Sequence, residues 1–276
     1  MSKTVLQLYP ESTGETGLEG LYLQHNLHQL GTAAQPVVYA NFISSLDGRI
    51  GVPKPGTQTH QVPPTLANSR DWRLYQELAA QADILITSAR YFRQLESGDA
   101  QDTLPIGQHD AYSDLRQWRI EQGLTPQPAV AILSASLNIP LAALQAYRDR
   151  SLFVVTGATA DQRRVGTIEA AGIPVLMAGP GNQVTGQGLL QCLTAEGFRS
   201  LYAIAGPQVL HTLTSAGVLS RLYLTVVHRL LGGREFDTLA WGESLHPPAD
   251  FSLYQLYYDP HGPAGTGQWL SVYEAK

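Results

Sequence analysis

A polar turn that follows an apolar run carries the first residues able to do chemistry. The segment SSLDGRI places Ser45, Asp47 and Arg49 directly after PVVYANFI, a run typical of a buried strand. The Asp47 carboxylate can orient a substrate or relay a proton, which makes it the candidate catalytic residue. An Asp before a Gly also forms a tight turn with no part in chemistry, and the sequence leaves both interpretations open.

A long loop follows that turn and holds a second candidate. Residues 51–67 are rich in Pro and Gly, and a long ordered loop in a compact domain is often functional. Lys54 lies in it and can contact a substrate phosphate. It can equally be an ordinary solvated lysine, since most lysines are exposed.

Small or hydroxyl-bearing residues stand where several predicted strands end. Ligands of open α/β sheets bind beyond the carboxyl ends of the strands, and a helix that begins there attracts anions. Each residue alone is typical of an ordinary turn, but together they predict a ligand crevice along one sheet edge. The positions are Ser44 and Ser45, Thr87 and Ser88, Ser134, Thr156 and Gly157, and Ala205, Gly206 and Pro207.

Several familiar site types are missing from the sequence. Cys192 is the only cysteine, which excludes a disulfide framework and any multi-cysteine metal site, and the eight histidines show no metal-binding spacing. We therefore predict no metal. The chain also lacks a phosphate-binding P-loop, a G-x-S-x-G nucleophile turn and a G-x-G-x-x-G dinucleotide fingerprint.

The charge and hydropathy patterns restrict the partners. The formal net charge is −5 with no basic block, which argues against a nucleic-acid binder. No apolar run approaches the roughly 18 residues of a membrane span, and the first residues lack an apolar signal core. We expect a cytoplasmic protein that acts on a small molecule, with no nucleic-acid or membrane partner.

The periodicity predicts strands that alternate with helices, which indicates a mostly parallel sheet with an antiparallel C-terminal edge. Asn68 or Ser69 is expected to cap a helix that buries Trp72, Tyr75, Leu78, Ala79 and Ala82. Residues 1–35 are predicted to be an extension that packs on one domain spanning 36–276. Strands are predicted at 36–43, 83–87, 129–133, 152–156, 173–179, 200–206, 221–227, 251–258 and 268–274.

The motifs, taken in order, resemble a known family. FISSLDGRI, NSRDWRLYQELAAQADILITSARYFR, AVAILSASLNIP, SLFVVTGAT, GFRSLYAIAGPQVLHTLTSAG and RLYLTVVHRLLGG follow one another over about 200 residues. This series is similar to the reductase domain of the bifunctional riboflavin-biosynthesis deaminase–reductase. The S-x-D-G-[KR] turn and the L-x-x-x-A-D-I-L strand entry are its most specific parts.

The resemblance implies a dihydrofolate-reductase-like fold, a homodimer, and hydride transfer from NADPH to 5-amino-6-(5-phosphoribosylamino)uracil or another pyrimidine-like molecule. It implies no deaminase, because the zinc motif of that half is absent. On the substrate side it points to Asn41, Ser45 and Arg49. On the cofactor side it points to Ser88, Arg90, Ser134, Thr156, Gly157, Gly206, Pro207 and Gln208.

The chain departs from the family pattern in three places. Arg90 and Tyr91 replace Gly-Thr in the loop near the cofactor, and Ile204 replaces the Glu of E-G-G-P. Ser220 and Arg221 replace a later Asp-Glu pair. The altered 88–91 loop and the missing Glu favour an alternative, in which the chain is a non-catalytic dinucleotide-binding or interaction protein on the same fold.

Overall fold

The computed structural model describes residues 4–57, 59–100 and 103–276, and an eleven-stranded sheet runs through them. A separate two-stranded hairpin lies beside this sheet. The strands are β1 (Thr4–Tyr9), β2 (Gly14–Gly17), β3 (Val37–Ser45), β4 (Val52–Pro53), β5 (His60–Gln61), β6 (Ile84–Ser88), β7 (Ala129–Leu133), β8 (Leu152–Thr156), β9 (Val175–Met177), β10 (Ser200–Ala203), β11 (Arg221–Val227), β12 (Phe251–Asp259) and β13 (Gln268–Ala275). The helices are α1 (Leu27–Leu30), α2 (Ser69–Ala80), α3 (Ala89–Glu96), α4 (Ser113–Glu121), α5 (Leu141–Leu144), α6 (Gln162–Ala170), α7 (Gly186–Ala195) and α8 (Pro207–Ser215).

The strand order is β2-β1-β12-β13-β11-β3-β10-β6-β7-β8-β9. All pairs from β11 to β9 are parallel, and β13, β12, β1 and β2 extend the sheet in antiparallel fashion. The predicted class, a mostly parallel sheet with an antiparallel C-terminal edge, is therefore confirmed. The parallel strands are apolar on both sides because helices cover both faces of the sheet.

The two faces carry different helices. Helices α7 and α8 pack on one face, against side chains such as Ala40 and Ala203. Helices α2 to α6 pack on the other, against side chains such as Tyr39 and Val130. The neighbouring strands β6 and β10 thus lead into helices on opposite faces, α3 and α8, and a crevice opens between them.

Helix α2 begins as predicted but buries more of its surface than predicted. The Asn68 side chain caps it by accepting hydrogen bonds from the N–H groups of Arg70 and Asp71. Leu74, Gln76 and Glu77 are buried along with the predicted apolar positions. Trp72 and Tyr75, predicted within the buried stripe, are only partly buried because they line a cavity.

The N-terminal residues are bound to α2 and to the sheet edge. The Glu77 carboxylate accepts hydrogen bonds from the N–H groups of Gly20 (2.6 Å) and Tyr22 (3.0 Å), and from Arg73 (2.9 Å). Strand β1 pairs with β12, so residues 4–9 belong to the main sheet. Residues 1–3 of the predicted extension lie outside the described part, and its boundary at residue 35 stays a prediction.

Removing the Glu77 carboxylate should loosen this N-terminal segment. The Glu77→Ala variant leaves two backbone N–H groups and the Nε–H group of Arg73 without their acceptor, while the other Arg73 nitrogens keep Asp114. Each buried group left unpaired costs about 1–3 kcal/mol. We expect the free energy of unfolding in urea to fall by about 3 kcal/mol. The exposed Glu96→Ala variant on α3 serves as a control and should change it by less than about 0.5 kcal/mol. Equal effects of the two variants would contradict this interpretation of Glu77.

Candidate active site

A cavity of about 560 Å³ opens at the crevice between β6 and β10. Its floor is formed by Asn41 in the middle of β3 and by Thr87 at the end of β6. The first turns of α2 form one wall, with Trp72 stacked on Tyr75 at 4.7 Å between ring centroids. Both residues of strand β5 also line the cavity. Aromatic walls with a few polar groups are typical of sites for small planar ligands.

Two helices begin at this cavity. Ser88 is the N-cap of α3 but makes no side-chain capping bond, and Gly206 is the N-cap of α8. Both line the cavity together with Pro207, so the N–H groups of two first turns are open to a ligand. Helix N-termini attract anions through these N–H groups and the helix dipole. The arrangement fits the diphosphate of a dinucleotide.

Three of the predicted cofactor residues lie farther along the sheet edge. Ser134 and Thr156 are buried at the ends of β7 and β8, and neither lines the cavity. The Thr156 Oγ1 atom has no hydrogen-bond partner among the described residues. Gly157 must be glycine, because a Cβ atom there would lie 2.0 Å from the carbonyl oxygen of Gly181. Gln208 is exposed in the first turn of α8, also outside the lining.

The predicted turn that carries Asp47 lies beside the cavity. Its carboxylate is hydrogen-bonded to other groups of the protein. The Asp47 carboxylate accepts hydrogen bonds from the Ser45 hydroxyl, from Arg49 at 2.5 Å and from the Gly232 N–H group at 2.9 Å. These bonds, that from Ser45 most of all, hold the pKa of Asp47 well below its usual range. Gly48 has a φ of 77°, which favours glycine. None of the described residues that line the cavity comes from 44–49.

Arg49 connects this turn to the loop that contains Gly233 and Phe236. Its guanidinium donates to the carbonyl oxygen of Gly233 at 2.9 Å and lies 4.3 Å from the centroid of the Phe236 ring. Ser45 is buried and accepts a hydrogen bond from the Arg49 N–H group. These contacts favour the turn-forming interpretation of the S-x-D-G-R segment over a catalytic one, although the role of Asp47 stays a prediction.

Lys54 and Arg90 lie at the mouth of the cavity. Lys54 forms an ion pair with Asp99 at 2.7 Å, which lowers the pKa of that carboxyl. Arg90 donates to the carbonyl oxygen of His60 at 3.3 Å. Both cations line the cavity, and Lys54 joins the hairpin to the segment after α3. Their positive charge favours an anionic ligand such as a phosphate.

Asp71 is a site residue that sequence reasoning missed. It lines the cavity from the first turn of α2, and burial raises the pKa of its carboxyl to about 6. A hydrogen bond with the Thr225 side chain on β11 opposes part of this rise. The sequence assigned Asp71 only to the positive end of a helix. The signal that could have identified it is its position three residues before Leu74 and beside Trp72, on the side of α2 that faces the crevice.

The remaining chemically active side chains are the potential metal ligands and the one cysteine. Among the described residues, no three His, Cys, Asp or Glu side chains group together as metal ligands. Burial raises the pKa of the Cys192 thiol to about 11, which leaves it protonated and unreactive at neutral pH. Across the same residues no helix has the length and apolar character to cross a membrane.

Comparison with known proteins assigns the family. Residues 36–252 match the RibD C-terminal domain family, and a search of curated proteins found no match. The chain belongs to the RibD C-terminal domain family, as the order of its motifs indicated, and its fold is the predicted dihydrofolate-reductase-like one. The family match gives no support to the non-catalytic alternative.

Solved structures share this fold at low sequence identity. A pyrimidine reductase-like protein of Corynebacterium diphtheriae has a TM-score of 0.65 at 18% identity, covering 91% of this chain and 98% of that one. The riboflavin biosynthesis reductase Rib7 of Saccharomyces cerevisiae has a TM-score of 0.58 at 15% identity, covering 93% and 99%. RibD of Acinetobacter baumannii has a TM-score of 0.59 at 18% identity, covering 89% of this chain. The match spans only 59% of that RibD chain.

The raised pKa of Asp71 predicts how stability depends on pH. The folded value of about 6 lies above the unfolded value of about 3.9, so the unfolded state releases its proton first. The contribution of this carboxyl is therefore complete below pH 4 and is lost as the pH rises through 6. Above pH 6, the ionised carboxylate costs the fold up to about 3 kcal/mol, at about 1.4 kcal/mol for each unit of pKa.

The Asp71→Asn variant should remove that cost. We expect it to be more stable than the wild type by about 1–3 kcal/mol at pH 8 and nearly equal to it at pH 4, measured by urea unfolding. The exposed Asp110→Asn variant is the control and should show no such pH-dependent gain. A variant at Asp71 that gains nothing at pH 8 would show that the carboxylate is not enclosed.

Proposed function

We propose that this chain is an NADPH-dependent reductase that transfers a hydride to a pyrimidine-like small molecule. The substrate we favour is 5-amino-6-(5-phosphoribosylamino)uracil, the one implied by the family resemblance. The observation that carries the proposal is the presence, in one cavity, of two open helix N-termini and an enclosed carboxyl with a pKa of about 6. The first suits a dinucleotide, and the second suits proton transfer near neutral pH.

NADPH would be held along the carboxyl edge of the parallel strands. The first turns of α3 and α8, at Ser88 and Gly206, would bind its diphosphate through backbone N–H groups. Arg90 offers a charge-assisted bond to a phosphate, and the unpartnered Thr156 hydroxyl suits the ribose end. When bound, this cofactor supplies the hydride. The choice of NADPH over NADH is part of the proposal, and it is supported by the positive charge that Arg90 adds to the lining of the cavity.

Asp71 is the proposed source of the proton. A hydride adds to the carbon of a polarised C=N or C=O bond, and the electron pair of that bond moves to the nitrogen or oxygen. That atom then takes a proton from the Asp71 carboxyl, which recovers one from water. The Thr225 side chain holds the carboxyl in place, and the Trp72 and Tyr75 rings exclude water beside it.

The remaining predicted residues have supporting roles in the proposal. Ser45, Asp47 and Arg49 would act by holding the 231–236 loop against the end of β3, while Lys54 would meet a substrate phosphate at the mouth. We extend the proposal to a cytoplasmic homodimer. Leu230 and Trp241 are 71% and 63% exposed, and they offer apolar surface for a second copy.

Thermal unfolding with NADPH or NADH tests the cofactor part. A ligand at about 100 times its Kd adds roughly 2.7 kcal/mol of stability, which at about 2–4 °C per kcal/mol raises Tm by roughly 5–10 °C. We expect this rise with NADPH, a smaller one with NADH, and a reduced rise in Arg90→Ala. The exposed Arg148→Ala variant should keep the full rise. No rise with either dinucleotide would overturn the reductase proposal.

NADPH oxidation with 5-amino-6-(5-phosphoribosylamino)uracil tests the chemical part. We expect wild-type turnover that declines as the pH rises above about 6, because the protonated fraction of Asp71 falls. Asp71→Asn should lose roughly 100-fold or more in kcat, while its Tm rise with NADPH is unchanged. An Asp71→Asn variant with wild-type kcat would remove Asp71 from the mechanism.

A further inference from the structure

Asn41 lines the floor of the cavity and is bonded to a tyrosine on the neighbouring strand. The Tyr202 hydroxyl on β10 lies 2.5 Å from the Asn41 Oδ1 atom on β3. The register pairs Tyr202 with Tyr39, so Asn41 lies two residues farther along the same sheet face. The phenol therefore reaches along the strand to the side chain that meets the ligand.

The direction of this hydrogen bond follows from burial. Tyr202 is fully buried, and burial raises the pKa of its phenol well above the ordinary value, so the hydroxyl stays protonated. Its one hydrogen bond among the described residues is the bond to Asn41. A buried hydroxyl proton needs an acceptor, and the side-chain carbonyl oxygen of Asn41 lies within hydrogen-bonding distance. The amide of Asn41 therefore presents its oxygen to Tyr202 and its NH₂ group elsewhere.

The tyrosine ring is itself held in place. It stacks on the Tyr39 ring with centroids 4.9 Å apart and an interplanar angle of 12°, and the Tyr75 ring packs 5.8 Å away. The Tyr39 hydroxyl donates to the carbonyl oxygen of Leu78 at 3.0 Å, which ties this pair of rings to α2. Close packing of this kind leaves the Tyr202 hydroxyl one position.

We propose that Tyr202 is a positioning residue that fixes the Asn41 amide as a hydrogen-bond donor to the substrate. The Asn41 Nδ2 group has no partner among the described residues, so it is available to a ligand in the cavity. The substrate places a hydrogen-bond acceptor there, such as a carbonyl oxygen of a heterocyclic ring. A ring that offers an N–H group at that point is rejected, because two donors then face each other. This inference rests on the proposed reductase function.

The Asn41 amide lies on the same face of the sheet as Asp71, the proposed proton donor. Thr225 on β11 is the hydrogen-bond partner of Asp71. It pairs with Ile43, which lies two residues beyond Asn41 on β3. Adjacent strands lie about 4.8 Å apart and rise about 3.3 Å per residue, so the Cα atoms of Asn41 and Thr225 are separated by roughly 8 Å. Asn41 and Asp71 both line the cavity, so a single planar heterocycle bound there meets both side chains. The substrate class is thus a ring with a carbonyl oxygen on one side and the reducible bond toward the other.

Tyr202→Phe tests the positioning role with little loss of packing. Without the hydroxyl, the Asn41 amide rotates freely, and we expect KM for 5-amino-6-(5-phosphoribosylamino)uracil to rise about tenfold, the value of one hydrogen bond. The kcat should stay within about twofold of the wild-type value. The Tm rise with NADPH should be unchanged. Tyr39→Phe is the matched control, because it removes a buried phenol hydroxyl from the same stack without touching Asn41. A KM that rises equally in both variants would overturn the proposal.

Coupling between the two residues gives a second readout. In an Asn41→Ala background, Tyr202→Phe should have no further effect on KM, because the group it positions is gone. Additive effects of the two substitutions would contradict a role of Tyr202 through Asn41.

A proton NMR spectrum tests the hydrogen bond without any substrate. The buried Tyr202 hydroxyl should give a slowly exchanging signal that is lost in Tyr202→Phe and shifts downfield in Asn41→Asp, where the acceptor becomes charged. It should persist in Tyr39→Phe. An unshifted signal in Asn41→Asp would overturn the proposal even in a protein that reduces nothing. Absent turnover together with the expected signals would instead place the failure in the proposed function.

Discussion

The site depends on a carboxylate that sets β10 beside β6. Asp83, directly before β6, accepts hydrogen bonds from the N–H groups of Arg199 (2.7 Å) and Ser200 (2.9 Å) at the start of β10. The Ser200 hydroxyl donates to the carbonyl oxygen of Gln81 at 2.8 Å. These bonds place a late strand between two early ones, and the helices that follow β6 and β10 then leave on opposite faces. The crevice between them is the consequence of that strand order.

Helix α2 joins the stability of the fold to the chemistry of the site. At its middle, Glu77 holds the N-terminal segment through backbone N–H groups. At its start, Asp71 stands in the cavity with a pKa raised by burial, which makes the folded protein less stable at neutral pH than it would be with a neutral side chain. A group kept at a cost to stability and open to a ligand is typical of a functional position.

Local signals in the sequence were enough for most of the fold. The capping residues Asn68 and Asp161 mark the starts of α2 and α6, and Gly172 with a φ of 81° follows the end of α6. Apolar runs located the parallel strands. The sequence did not predict α3, the short hairpin β4–β5 within the Pro- and Gly-rich loop, or the pairing of β1 with β12. The pairing of β1 with β12 depends on a partner about 250 residues away along the chain, which local patterns do not encode.

The site was predicted in part, for a related reason. Ligands of parallel sheets bind beyond the carboxyl ends of the strands, and this general rule pointed to Ser88 and Gly206. Both residues line the cavity. The enclosure of Asp71 results from the packing of α2, the aromatic wall and β11 together. The engagement of Asp47 depends on a loop more than 180 residues away. Spacing along the chain reveals neither.

A crystal structure of this protein soaked with NADP⁺ tests the central claim most directly. The account predicts diphosphate density between the first turns of α3 and α8, within hydrogen-bonding distance of their backbone N–H groups, with the nicotinamide ring toward Asn41 and Asp71. A dinucleotide bound elsewhere on the chain, or a crevice that stays empty at concentrations that raise Tm, would contradict it.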